Sequence, residues 1–154
     1  MSDAFAKVNT WLAELGQPGT PSLALDPDGR LGFQVDRHQP CFLQVDVGDA
    51  LLHWFLPVCD LPRSSKGRTQ TMATCLQLYY LKQQTCGAHL GMSFDERHIL
   101  LLYARSLELM DRLSFINITG QLVTTNHALR VALDAPAPST SSDADPFRML
   151  GRLV

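Results

Sequence analysis

Apolar positions near the N terminus of this chain repeat with the period of a helix. Four of them lie at i, i+3, i+7 and i+10, which predicts an amphipathic helix over Ala4–Leu15: Phe5, Val8, Leu12 and Leu15. A turn is expected at Asp26-Pro27-Asp28-Gly29, because proline presets φ and glycine tolerates a left-handed backbone. This turn predicts a hairpin between Ser22–Leu25 and Arg30–Asp36.

Strand-like alternation then continues to residue 58. Cys41–Val47 alternates apolar and polar positions, except that Phe42 places an aromatic ring on the polar face. Leu51–Val58 is apolar on both faces, which is typical of a strand that is covered on both sides. Residues 61–70 are interpreted as a polar loop.

The second half of the chain contains two further helices and two further strands by the same criteria. A helix is predicted over Thr71–Thr85, strands over Leu90–Phe94 and Ile99–Ala104, and a long helix over Leu109–Leu133. Because Gly120 is a poor helix former, a bend or break there is left open. The element order is therefore α-β-β-β-α-β-β-α.

Composition and charge narrow the function classes. The 154 residues, with 45% hydrophobic and 18% charged side chains, suit one domain that needs no disulfide or metal to fold. A net charge of −2 argues against binding of nucleic acid. The first 60 residues hold eight acidic and three basic side chains, which favours a basic partner. The one basic cluster, Arg63, Lys66 and Arg68, is interpreted as a solvated loop.

The chain divides into a domain over residues 1–134 and a tail over 135–154. The tail is rich in proline and serine and is predicted to be a flexible tether. Its apolar end, Phe147–Val154, is interpreted as a frayed terminus, with docking onto the domain or a partner left open. No secretory signal or membrane-spanning stretch is recognised, and the four cysteines form no C-x-x-C, so a reducing cytosol is expected.

Motifs for catalysis or cofactor binding are absent from the sequence. The five histidines lack the spacing that presents two imidazoles to one zinc ion, and there is no phosphate-binding loop and no nucleophile motif. We therefore expect no enzyme activity, no metal and no cofactor. A site assembled only in three dimensions, for instance from Cys41 and His53, stays open. The aromatic residues Trp54, Phe42, Tyr79 and Tyr80 are candidates for either core or interface.

Several segments in order resemble the class I type III secretion chaperones of the Tir-chaperone (CesT-like) family, over Phe5–Leu133. The resemblance rests on the N-terminal helix, the turn at residues 25–29 and three further segments: Leu56–Pro62, Gly87–Met92 and Ile99–Asp111. It implies an α+β fold with a strongly twisted, mainly antiparallel sheet and helices packed against it.

The resemblance also implies a homodimer in the bacterial cytoplasm, without enzymatic activity, cofactor, nucleic acid or membrane insertion. Such proteins bind the N-terminal segment of a secreted effector in extended form, and a secretion-apparatus ATPase is a further partner to consider. The predicted effector-binding residues are Phe5, Leu12, Leu31, Phe33, Phe42 and Trp54. The predicted dimer contacts are Leu76, Tyr79, Tyr80, Leu100 and Leu102.

Two alternatives remain open on the sequence alone. The chain could be a small dimeric adaptor or regulatory binding protein with no secretion client. It could also be an enzyme whose site is built from scattered cysteine and histidine residues.

Overall fold

The computed structural model describes residues 3–15, 22–35, 39–80 and 85–133. Within these residues, three helices and five strands follow one another in the predicted order, which confirms the α-β-β-β-α-β-β-α arrangement. Their bounds are α1 Asp3–Leu15, β1 Arg30–Val35, β2 Gln39–Asp46, β3 Leu51–Asp60, α2 Ser65–Tyr80, β4 His89–Met92, β5 His98–Ser106 and α3 Arg112–Ala132.

The five strands form one sheet in the order β1-β2-β3-β5-β4. Every neighbouring pair is antiparallel, which confirms the predicted sheet type. Helices α1 and α3 pack on one face of this sheet, called here the helix-bearing face. The Phe115 ring of α3 joins the layers, because its centroid lies 5.5 Å from Trp11 of α1 and 6.0 Å from Trp54 of β3.

Two buried polar side chains of α3 fix its position on β3. Thr119 Oγ1 accepts a hydrogen bond of 3.0 Å from Trp54 Nε1 and donates to the carbonyl of Phe115. Asn126 Nδ2 donates over 3.1 Å to the carbonyl of Pro57, where the β3–β5 register shifts. Because an unpaired buried polar group is costly, these bonds favour one register of helix on sheet.

Ser22–Leu25 forms no strand, so the predicted hairpin is wrong in its first arm. The N–H of Leu25 donates instead to Asn9 Oδ1 of α1, at 2.8 Å. The turn itself is present, with Asp26 Oδ1 accepting from the N–H groups of Asp28 and Arg30. A side chain of α1 thus binds a backbone group that a hairpin would have used.

The bounds of the helices also differ from the prediction. Helix α2 begins at Ser65, inside the predicted loop, where Ser64 Oγ accepts from the N–H of Gly67 at 3.2 Å. Helix α3 begins at Arg112, because Asp111 Oδ1 caps the N–H of Ser114, and it continues through Gly120 without a break. The predicted C-terminal end of the second helix and the tail over 135–154 lie outside the described residues.

Candidate functional site

Three of the four partly exposed members of the predicted effector-binding set lie where α1 meets the edge of the sheet. This rim surface consists of Phe5, Leu31 and Phe33, each half-buried against the core. The Phe5 ring covers Gly29, which has a φ of +74° and where an added Cβ would lie 2.6 Å from Phe5 Cζ. Glycine is therefore required at the start of β1, and its small size allows Phe5 to pack against the sheet edge.

Two predicted effector-binding residues are enclosed by the protomer. Leu12 and Trp54 each have 0% of their surface exposed. Both belong to the core between the helices and the sheet. A partner bound to the rim surface would therefore not contact either side chain in this conformation.

Phe42 lies on the opposite face of the sheet from the rim surface. The strand pairings place it in a row that crosses all five strands: Gly32, Phe42, Phe55, Leu102 and His89. Its neighbours complete an outer-face cluster, defined as Phe42, Phe55, Leu100 and Leu102. The six predicted effector-binding residues thus do not form one surface, and Phe42 lies beside predicted dimer contacts instead.

The remaining predicted dimer contacts lie on or beside an exposed stripe of α2. Met72, Leu76 and Tyr80 follow at i, i+4 and i+8, and Leu76 and Tyr80 are 69% and 85% exposed. Helix α2 lies beside β4 and the turn that follows it. Tyr79 Oη lies 2.8 Å from His89 Nδ1, and Arg68 pairs with Glu96 at 3.4 Å. Exposed Met92 lies on β4, and exposed Phe94 lies just after it. We call Met72, Leu76, Tyr80, Met92 and Phe94 the α2–β4 surface.

Four residues of these surfaces are not among the predicted site residues: Phe55, Met72, Met92 and Phe94. The sequence places Phe55 only on a strand covered on both sides, Met72 only on a helix, and Met92 and Phe94 only on a strand. A signal for the α2–β4 surface was present, since Met72, Leu76 and Tyr80 share one helical face. Phe94 lies just after β4 and is 73% exposed, which strand alternation does not predict.

The turn that follows β2 is stabilised by hydrogen bonds between an acidic side chain and the backbone of the same turn. Asp46 Oδ1 accepts from the N–H groups of Gly48 and Asp49, at 2.8 and 3.2 Å. On the neighbouring strand, burial lowers the pKa of His53, although Asp46 and Asp49 oppose this effect. Turn formation therefore accounts for the position of the Asp46 carboxylate.

The structure separates Cys41 from His53, the pair that the sequence left open as a site. Cys41 lies in the core of the helix-bearing face, whereas His53 pairs with Gln44 on the outer face, so they cannot share a ligand. No group of three histidine, cysteine or acidic side chains within the described ranges is placed to hold a metal ion. Across the same ranges, no helix has both the length and the apolar content needed to cross a membrane.

The described architecture and apolar surfaces are those of a binding protein. The Tir chaperone protein (CesT) family model matches residues 10–130, so the chain belongs to this family. Among curated protein sequences, no match was found.

Similar solved structures include three complexes. The ExsC–ExsE complex is matched with a TM-score of 0.68 and 20% identity, over 91% of this chain and 100% of the other. The heterodimeric ExoU–SpcU complex from the Pseudomonas aeruginosa type III secretion system gives 0.61 and 15%, over 82% and 98%. The ExoT–SpcS complex, also from P. aeruginosa, gives 0.58 and 23%, over 84% and 100%. At such identities these likenesses establish the fold.

Proposed function

We propose that this protein is a class I type III secretion chaperone of the bacterial cytoplasm. It binds the N-terminal segment of a secreted effector in extended form and keeps that segment competent for secretion, without catalysing a reaction. Membership of the Tir chaperone protein (CesT) family supports this proposal. So does the fold shared with the ExoU–SpcU complex, which is described as part of a type III secretion system.

The observation that carries the proposal is the rim surface beside an edge strand. Strand β1 ends the sheet order and, among the described residues, pairs only with β2. An extended peptide can add to such an edge through main-chain hydrogen bonds while its alternate side chains enter apolar pockets. Phe5, Leu31 and Phe33 supply half-buried apolar side chains next to that edge.

The test compares two neighbouring substitutions on β1. Phe33→Asp places a charge on the rim surface, whereas Gln34→Asp places the same charge on the next, exposed residue. The tagged wild type is first purified from its native host, and its bound protein is identified by mass spectrometry. Calorimetry with the N-terminal segment of that protein should then show affinity at least about tenfold weaker for Phe33→Asp, a loss of about 1.4 kcal/mol, and little change for Gln34→Asp.

Phe42→Asp distinguishes the rim surface from the outer-face cluster. An effector that uses only the rim surface should bind this variant with nearly unchanged affinity, whereas contact with Phe42 should weaken binding. Melting temperatures of all three variants check that the domain stays folded. If Phe33→Asp and Gln34→Asp both bind like the wild type while folded, the rim surface is not the effector site. If no secreted protein is retained under inducing conditions, the adaptor alternative is favoured.

We also propose that the protein forms a homodimer through the α2–β4 surface. Five large apolar side chains on α2, on β4 and just after β4 are exposed, and exposed apolar side chains of this kind suit an interface that a second copy covers. Among the described residues, β4 is the other edge of the sheet and pairs only with β5, so a second copy could cover both these side chains and that strand edge.

A further inference from the structure

A surface groove separates the start of α2 from the end of α3. It has a volume of about 350 Å³ and is lined by Pro62, Gly67, Gln70, Thr71, Thr74, Ala132 and Leu133. This groove is separate from the rim surface, the outer-face cluster and the α2–β4 surface. A cavity of about 150 Å³ can hold a benzene molecule, so the groove has room for an aromatic side chain and part of its backbone.

The groove lies where the chain leaves the domain. Leu133, which follows α3, is itself a lining residue, and the sequence continues for another 21 residues to Val154. The first apolar aromatic residue after it is Phe147, preceded by 13 residues that can span up to about 45 Å when extended. Because the closure entropy of a loop rises slowly with length, the 13-residue connection adds little to the entropic cost of returning Phe147 to the groove compared with a shorter one.

Charge at the α2 side of the groove is complementary to the acidic part of this segment. Arg63 and Lys66 are exposed and directly adjoin the lining residues Pro62 and Gly67. The first turn of α2 contains no acidic residue, although a helix N terminus favours negative charge. The tail supplies Asp143 and Asp145 just before Phe147 and has no basic residue between 134 and 147.

We infer that this groove binds the chain's own C-terminal segment, with Phe147 in the groove and Asp143 and Asp145 beside Arg63 and Lys66. Docking joins the start of α2 to the end of α3 and adds the acidic groups that the first turn of α2 lacks. Since α2 carries the proposed dimer surface, the docked tail stabilises the helix on which that surface depends. The inference does not depend on effector binding.

Amide NMR spectra of the full-length protein test this contact. Phe147→Ala should shift the amide signals of Gly67, Thr71 and Thr74 and raise hydrogen exchange in the first turns of α2 by about threefold or more. Asp143→Asn with Asp145→Asn should shift the same signals less, and 0.5 M NaCl should reduce the difference between this double variant and the wild type. Val154→Ala is the matched control, since it also shortens an apolar tail residue, and it should leave these signals unchanged.

Two results would overturn the inference. One is a Phe147→Ala protein whose Gly67, Thr71 and Thr74 signals coincide with those of the wild type, which would mean that Phe147 does not occupy the groove. The other comes from mixing variant and wild-type chains, which tests whether the segment of one copy docks onto another copy. If isotope-labelled Phe147→Ala chains recover the wild-type signals when mixed with unlabelled wild-type chains, the segment docks onto a partner copy and not onto its own domain.

Discussion

At the residue scale, Gly87 and Gly120 offer a matched test of backbone conformation. An added Cβ would meet nothing within 4 Å at either position, but Gly87 has a φ of +83° and Gly120 lies inside α3. Gly120→Ala should therefore stabilise the protein by about 0.5–1 kcal/mol, because alanine is the better helix former. Gly87→Ala should destabilise it by about 1–2 kcal/mol, the cost of a left-handed conformation for a residue with a Cβ.

Urea unfolding of the two variants and the wild type measures both effects. Neither substitution creates a steric clash, so each variant reports the effect of backbone conformation alone. A Gly120→Ala protein less stable than the wild type would indicate that α3 bends at this position in solution.

The four cysteines differ sharply in their environment. Burial raises the pKa of Cys41 to about 12, and burial followed by the neighbouring Cys75 and Asp60 raises the pKa of Cys59 to about 12. Burial also raises the pKa of Cys75, whereas Cys86 is exposed. Because thiolates are the reactive form, a disulfide reagent at pH 8 should modify one thiol quickly in the native protein and all four after denaturation.

A Cys86→Ser variant is the control and should lose the fast phase alone. Two fast thiols in the native wild type would contradict the burial of one of these side chains.

The raised pKa values of Cys41 and Cys59 also predict how the free energy of unfolding depends on pH. The buried thiols stay protonated at a pH where the unfolded thiols ionise, so stability should fall as pH rises from 9 toward 12.

At the element scale, Asn126 connects α3 to the irregular end of β3. Its side chain is fully buried and donates to the carbonyl of Pro57. Asn126→Ala removes this donor and leaves a small cavity, so the free energy of unfolding should fall by about 2 kcal/mol. Denaturant unfolding measures this loss, and exposed His127→Ala on the same helix should change stability by less than about 0.5 kcal/mol. Equal effects of the two would mean that the Pro57 contact does not hold the helix.

How far the elements could be predicted depended on whether the deciding contacts are local. Helices α1 and α3 and the five strands follow from periodicity, and alternation placed Phe42 on the face opposite Leu43. The missing strand at Ser22–Leu25 depends on Asn9, a contact between residues 16 positions apart, which periodicity cannot show. Trp54 could not be assigned to core or surface, because only the packing of Phe115 and Thr119 decides its burial.

At the scale of the whole molecule, the α2–β4 surface predicts a dimer that charge should dissociate. Leu76→Glu with Tyr80→Glu places two carboxylates among exposed apolar side chains, where burial at an interface without partners is costly. Both side chains are exposed in the protomer, so the fold should be retained. Light scattering at micromolar concentration should give about twice 17.1 kDa for the wild type and about 17.1 kDa for the variant.

Leu113→Glu is the matched control for this prediction, since Leu113 of α3 is 65% exposed, close to the 69% of Leu76, yet lies outside the α2–β4 surface. It should remain dimeric. A monomeric wild type would remove the proposed dimer, and a dimeric double variant would place the interface elsewhere, with the outer-face cluster as the next candidate. Because the rim surface lies at the β1 edge and β4 at the opposite edge, the monomeric variant should still bind an effector segment, although more weakly if the segment spans both protomers.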